Sequence, residues 1–365
     1  KPFRPTADVI ESGLYVKNIE NSELTYEKKY EFSTGANIGF LNNRINLAVD
    51  WYVRDNYDLI GIINTQGVGG GQNDGIYKMA NIATMRSTGI EFSLSTKNIR
   101  EQNFGWNTDI VFSHNKTEIT QLEANTRIID LVSLNGFAME GYPTRSLFSF
   151  RFNGLDGKGF PTIVDVDGNN ISPDEIDFQK TDNVLDIVKY EGSAEPTVNG
   201  GMGNIFTYRN LRLNVFITYA FGNKIRLDPV FKTRYTDLTS MPKEFANRWT
   251  LPGDEAITNI PVILSKREEA ESSYYSYLYN AFNYSDARIA DGGFVRMKEI
   301  SLSYDFPKQW LGGVCENASL KLQATNLFLI YADSKLNGQD PEFFRSGGVS
   351  APVPKQFTLT ARIGF

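Results

Sequence analysis

The sequence predicts an all-β chain, and within that class a transmembrane antiparallel β-barrel, on three observations. First, the last nine residues, F-T-L-T-A-R-I-G-F, set Phe357, Leu359, Ala361, Ile363 and Phe365 against Thr358, Thr360, Arg362 and Gly364. This is the period of a strand with one oily and one polar face. At the edge of a soluble sheet such a strand invites aggregation, whereas in a closed membrane barrel it has neighbours on both sides and lipid on its oily face. Second, roughly nine segments of about ten residues carry the same alternation, the length with which a tilted strand crosses a bilayer. Third, short and long connections follow one another in turn, as in outer-membrane barrels, whose short turns are periplasmic.

Composition agrees with a strand-rich chain. Aromatics make up 13% and charged residues 22%, with Phe and Tyr far ahead of Trp and glycines spread throughout, which favours strands and turns over helices. A net charge of -6 without a long basic run argues against a nucleic-acid partner. The single cysteine, Cys315, allows no internal disulfide. No run of eighteen apolar residues could cross a bilayer as a helix. A mean hydropathy just below zero still suits a large barrel, because inward-facing residues are polar.

In chain order, the opening K-P-F-R-P lacks an initiator Met and predicts a fragment or a processed product. The first hairpin pairs Phe32–Phe40 with Ile45–Val53 across L-N-N-R. Residues 56–85 are expected to be a loop, in which the glycine-rich run Gly67 to Gly75 fails the spacing of a phosphate cradle. Ile90, Phe92 and Leu94 are answered by Trp106, Thr108, Ile110 and Phe112. In the irregular stretch 116–196, Leu147–Phe152 and Phe160–Asp165 could pair locally. A hairpin follows from Pro196 to Phe221, turning at Arg209. After the stretch 222–292 come Phe294–Tyr304 and Ser319–Tyr331, and 332–355 leads into the last strand. Apolar parity shifts between Met297 and Ile300, which a β-bulge near Lys298 and Glu299 would explain. With 56–85, 116–196, 222–292 and 332–355 as extracellular loops, residue 1 falls outside the cell and Phe365 in the periplasm.

Several short motifs then stand in a recognisable order: N-x-E-L-x-Y-E (Asn21 to Glu27), L-N-N-R-I with D-W-Y, G-I-E-F-S-L (Gly89 to Leu94), F-V-R-M-K-E-I-S-L-S-Y, T-N-L-F (Thr325 to Phe328), G-Q-D-P-E (Gly338 to Glu342) and the terminal P-K-Q-F-T-L-T-A-R-I-G-F. Together they resemble the C-terminal part of SusC/RagA-like TonB-linked outer-membrane transporters of the Bacteroidetes type, over nearly all of residues 1–365. The resemblance implies a plugged barrel of about 22 strands, completed by an N-terminal segment with the plug and the TonB-contacting region. It further implies nutrient import in the outer membrane, a SusD/RagB-like surface lipoprotein as lid, and transporter–lipoprotein pairs able to associate as dimers. No enzymatic activity is implied, and no cofactor is required.

Two stretches suggest binding. Asp165, Asp167 and Asn169 occupy positions 1, 3 and 5 of a calcium-loop spacing, but Asn170 and Ile176 stand where a glycine and a bidentate glutamate belong; an Asx-rich turn is the plainer reading. Y-Y-S-Y-L-Y-N-A-F-N-Y offers Tyr274, Tyr275, Tyr277, Tyr279 and Tyr284, with Tyr235 and Trp249 nearby in sequence, as rings that could stack on a sugar or peptide. Their duller role is packing between loops or against the lid. The lone His114 has no nucleophile pattern, and the adjacent acids Asp174/Glu175 and Glu268/Glu269 read as solvated loop charge rather than a glycosidase pair. The rival class is a secreted β-rich carbohydrate-binding or adhesin domain, which would lack a belt of outward aromatics.

Overall fold

The computed structural model describes residues 2–3, 13–14, 21–65, 76–124, 126–230, 242–263, 274–312, 315–344 and 351–365. Two short strands, β1 (Pro2–Phe3) and β2 (Gly13–Leu14), pair with each other. Four long strands follow: β3 (Lys28–Phe40), β4 (Ile45–Thr65), β5 (Ile76–Arg100) and β6 (Phe104–Leu122). The next connection carries helix α1 (Ile128–Leu131), strands β7 (Ser146–Leu155), β8 (Pro161–Val164) and β9 (Asn170–Ile171), helix α2 (Val184–Ile187) and β10 (Val188–Ser193). The hairpin β11 (Val198–Tyr208) and β12 (Leu211–Phe221) returns to the long strands. Beyond it lie β13 (Lys224–Arg226), helix α3 (Tyr274–Asn283) and β14 (Ile289–Asp291). The chain finishes with β15 (Phe294–Asp305), β16 (Asn317–Ala332) and β17 (Gln356–Gly364).

The nine expected strands form one antiparallel sheet in the order β17-β16-β15-β12-β11-β6-β5-β4-β3. Among its members every strand lies beside its nearest neighbour in sequence, so each can pair as soon as its turn closes. The first turn uses three left-handed residues, Leu41, Asn42 and Asn43, before Arg44 N donates to the Phe40 carbonyl at 3.0 Å. The bulge lies where parity slips: Lys298 has no partner in either register, between Met297 and Glu299.

Cross-strand register sorts the side chains onto two faces. One row runs Ile38–Leu47–Leu94–Ile110–Met202–Ile217–Met297–Phe328 without a polar residue. The opposite face carries Asp50–Glu91–Ser113–Asn199 and Arg212–Ser303–Lys321–Thr360. Aromatic clusters edge the apolar face at both ends: Tyr304, Phe306 and Trp310 beside the short turns, and Tyr219, Phe221 and Tyr331 beside the long connections. This is the layout of a lipid-facing wall with interfacial aromatics.

Burial is inverted relative to a soluble sheet protein. Among the described residues, the nine strands bury only Ile119, Ala220 and Phe294 of their large or small apolar side chains, all near the long connections. The main core instead lies within those connections: Ile128, Leu131, Val132, Phe148, Phe150, Ile163, Val184, Val188 and Ala281 cluster between α1, α2, α3 and the four-stranded sheet β10-β7-β8-β9. The expected pairing of the segments around Phe152 and Phe160 is present as β7 on β8.

Residues 56–85 depart from the loop expected there, because β4 continues to Thr65 and β5 begins at Ile76. Asp55, Asn56 and Asp58 break the apolar alternation, and Asp58 takes φ 56 at a register shift, yet the backbone ladder resumes at Leu59. Outside a membrane a strand has no obligation to alternate, so its hydrogen bonds persist where the pattern fades. The run Gly67 to Gly75 lies outside the described residues.

Candidate functional site

The polar face of the sheet is one candidate surface. Asp50 and Glu91 stand directly opposite each other on β4 and β5, a like-charged pair that a sheet tolerates only at a cost. With Ser113, Asn199 and Gly200 they line a hollow of about 340 Å³. Further along this face, Asn214 Nδ2 donates to Glu299 at 3.3 Å, and Lys321 lies 3.8 Å from the same carboxylate. Chemically this is a wall of carboxylates, amides and hydroxyls, groups that hydrogen-bond a polar solute.

The second surface is the layer built by the connections. Helix α3 explains the tyrosine-rich stretch: Leu278, Tyr279, Ala281 and Phe282 are buried at helical spacing, while Tyr277 stays exposed. The Tyr279 hydroxyl donates to the Val262 carbonyl. Tyr284 packs against the main core, and its carbonyl accepts from Phe150 N at 3.1 Å. Tyr274 and Tyr275 open the helix, and Tyr235 lies outside the described residues. A 3.6-residue period in Leu278–Phe282 was the signal for this helix; the density of rings obscured it.

Trp249 is 8% exposed, and its indole Nε1 donates to Glu255 Oε2 at 2.9 Å. The ring lies against Gly159, which has φ +82 and no room for a side chain. Trp249 and Tyr279 are therefore packed inward with their polar tips satisfied, and neither offers a free face to a ligand. The indole, then the Gly253 amide and the backbone around Glu255, hold the Glu255 carboxyl below its ordinary range. Asp254 is held down likewise by the Leu251 and Thr250 amides and the Thr250 hydroxyl.

Asp165, Asp167 and Asn169 form the turn between β8 and β9. Asp165 Oδ1 accepts from Asp167 N and Asn169 N at 2.9 and 2.8 Å, and Oδ2 from Asn169 Nδ2 at 3.0 Å. These donors, the Asn169 side chain foremost, keep the Asp165 carboxyl below its usual range. Both carboxylate oxygens are thus turned to N–H groups, the arrangement of an Asx turn. No group of three or more His, Cys, Asp or Glu is placed to hold a metal among the described residues.

A larger recess of about 770 Å³ opens beside the upper ends of β15 and β16, lined in part by Arg296, Asn326, Asp340, Phe343, Pro352 and Lys355. Its charge is internally compensated: Arg296 Nη2 donates to both oxygens of Asp340, and Glu342 Oε2 lies 3.1 Å away. Phe294 and Phe343 flank the guanidinium, at 5.4 and 5.8 Å from their ring centres. Each partner belongs to a motif visible in sequence, F-V-R-M and G-Q-D-P-E, but their pairing spans 44 residues and no local pattern announces it.

Comparisons with known proteins complete the picture. No family model matches the chain. It is 24% identical over 347 residues to the TonB-dependent receptor P3 of Formosa agariphila, covering 91% of this chain and 32% of the relative. It is 25% identical over 357 residues to the TonB-dependent receptor SusC of Bacteroides thetaiotaomicron, covering 93% of this chain and 32% of that protein. Among solved structures, the RagAB peptide transporter superposes with a TM-score of 0.73 at 23% identity, over 100% of this chain and 38% of that one. The chain spans about a third of the length of these curated relatives. Over nine-tenths of its length the chain is thus similar in sequence to TonB-dependent receptors including SusC, and its antiparallel strand ladder has the fold of the matching part of the RagAB transporter barrel.

Proposed function

We propose that this chain is the C-terminal part of the barrel of a TonB-dependent importer, which takes up oligopeptides or oligosaccharides with a SusD/RagB-like surface lipoprotein as lid. The observation that carries the reading is the division of the sheet into a continuous apolar face and a polar face, with aromatic clusters at both ends of the former. A sheet unburied on both sides is stable where one side meets lipid and the other a hydrated lumen. In this reading the short-turn end, to which Gly364 is brought by its pairing with Asn317, faces the periplasm. The elaborated connections stand outside the cell, where they meet cargo and lipoprotein, and polar side chains line the path once the plug moves.

Extraction of the native outer membrane in mild detergent, without boiling, tests this. The chain should travel with the remaining barrel strands, a surface lipoprotein and cargo, all identifiable by mass spectrometry. Recovery of the chain in the soluble fraction would overturn the proposal in favour of a secreted binding domain.

A further inference from the structure

We propose that Glu191, Lys189 and Asp286 form an acid-responsive latch that tightens the connection layer as its surroundings acidify. The latch follows from a β-bulge. In the β10–β7 pairing the register jumps between Tyr190 and Gly192, leaving Glu191 as the extra residue, and a bulge re-aims the side chain it carries. Here the carboxylate is turned inward, with its side chain 13% exposed.

The surroundings serve an ionised carboxylate poorly. Lys189 on the same strand lies 3.5 Å from Glu191 Oε1 but 2.8 Å from Asp286 Oδ2, so two acids compete for one ammonium and the other acid has the better geometry. Asp286 is further fixed by accepting from Phe152 N at 3.1 Å. Arg226 on β13 is the remaining cation facing Glu191, but its guanidinium is committed to the Phe148 and Ser285 carbonyls and to Ser149 Oγ. Lys224, packed beside Gly192, directs its ammonium to Asp291 at 3.2 Å. Beyond that long 3.5 Å contact with Lys189, the buried Glu191 Oε1 has no well-aligned hydrogen bond.

An ionised oxygen in that position costs free energy, and a proton relieves it. Burial, and then the charge of Asp286, raise the Glu191 carboxyl above its ordinary range against the opposing pull of Lys189 and Arg226. The sign follows from linkage: with the folded value above the unfolded one, the folded layer binds more protons, so stability rises as pH falls through the folded value. Proton uptake from solvent also leaves Lys189 wholly to Asp286. Because β7 and β10 hold the main core while Arg226 follows β12 on β13 and Asp286 precedes β14 and β15, the latch joins the layer to the sheet. The inference is independent of what is transported.

The test is amide hydrogen exchange on the full-length protein in detergent, at pH 7.5 and 5, corrected for the intrinsic pH dependence of exchange. Residues 146–152 and 188–193 should be better protected at pH 5, by on the order of tenfold for each unit by which the Glu191 value is raised. Glu191→Gln should show the acid-level protection at both pH values. Asp286→Asn should shift the change to lower pH, and it supplies a second readout if the first variant assembles badly. Wild-type protection that falls on acidification, or a Glu191→Gln protein less protected at pH 7.5 than wild type, would overturn the latch.

Discussion

Arg296 Nη2 donates to both carboxylate oxygens of Asp340, at 2.5 and 2.6 Å, and both side chains are at least nine-tenths out of solvent. The pair ties the segment after β16 to the bulged strand β15, above the point where Lys298 leaves the ladder. Removing one member of a buried pair strands the other charge, at a cost of about 3–5 kcal/mol, whereas replacing both with apolar groups is often neutral. Arg296→Met should therefore lower the unfolding temperature in detergent more than Arg296→Met combined with Asp340→Leu. Equal losses would show that the ion pair does not hold this segment.

The two faces of the sheet should respond oppositely to charge. Leu94→Arg puts a guanidinium in the apolar row and should cost about 2–4 kcal/mol if that row meets the bilayer midplane. Ser95→Arg, one residue on, faces Asn46 and Asp109 on the polar side and should change stability by less than about 0.5 kcal/mol. Denaturant unfolding in lipid vesicles measures both, and similar losses would refute the assignment of faces.

The turn that seats Trp249 should loosen in strong acid. Asp254 and Glu255 are both held below their ordinary values, so their contribution is present above the unfolded values near pH 4 and is lost as pH falls through the folded ones. Proteolysis within 249–258 by an acid-active protease should accelerate below about pH 4. Glu255→Gln should flatten part of that response while keeping an acceptor for the indole.

Gly159 is the position where a single methyl group should be felt. A Cβ there would lie 2.5 Å from Trp249 Cδ2 at a φ of +82. Gly159→Ala should destabilise the connection layer by more than about 1 kcal/mol, visible as faster exchange at Trp249 and Val262, whose amides bond to Ile260 and Gly159. A neutral outcome would mean the ring can move aside, and that Trp249 is not fixed by this contact.

Much of the sheet was written locally. Residues such as Ile45, Leu47 and Val49 alternate with Asn46 and Ala48 because lipid on one side and water on the other impose a period of two on every crossing strand. That same requirement exposed the bulge at Lys298, where the period slips. Where the period lapses, at Asp55, Asn56 and Asp58, the strands continue all the same, because the backbone ladder of β4 and β5 resumes at Leu59. What tertiary structure decided is the fate of side chains whose partners are remote. Tyr279 turned inward to bond the Val262 carbonyl and Trp249 to rest on Gly159 and bond Glu255, while Arg296 found Asp340 across 44 residues. A repeating environment leaves its period in the sequence, but a contact between distant segments leaves only two residues that give no sign of each other until the chain has folded.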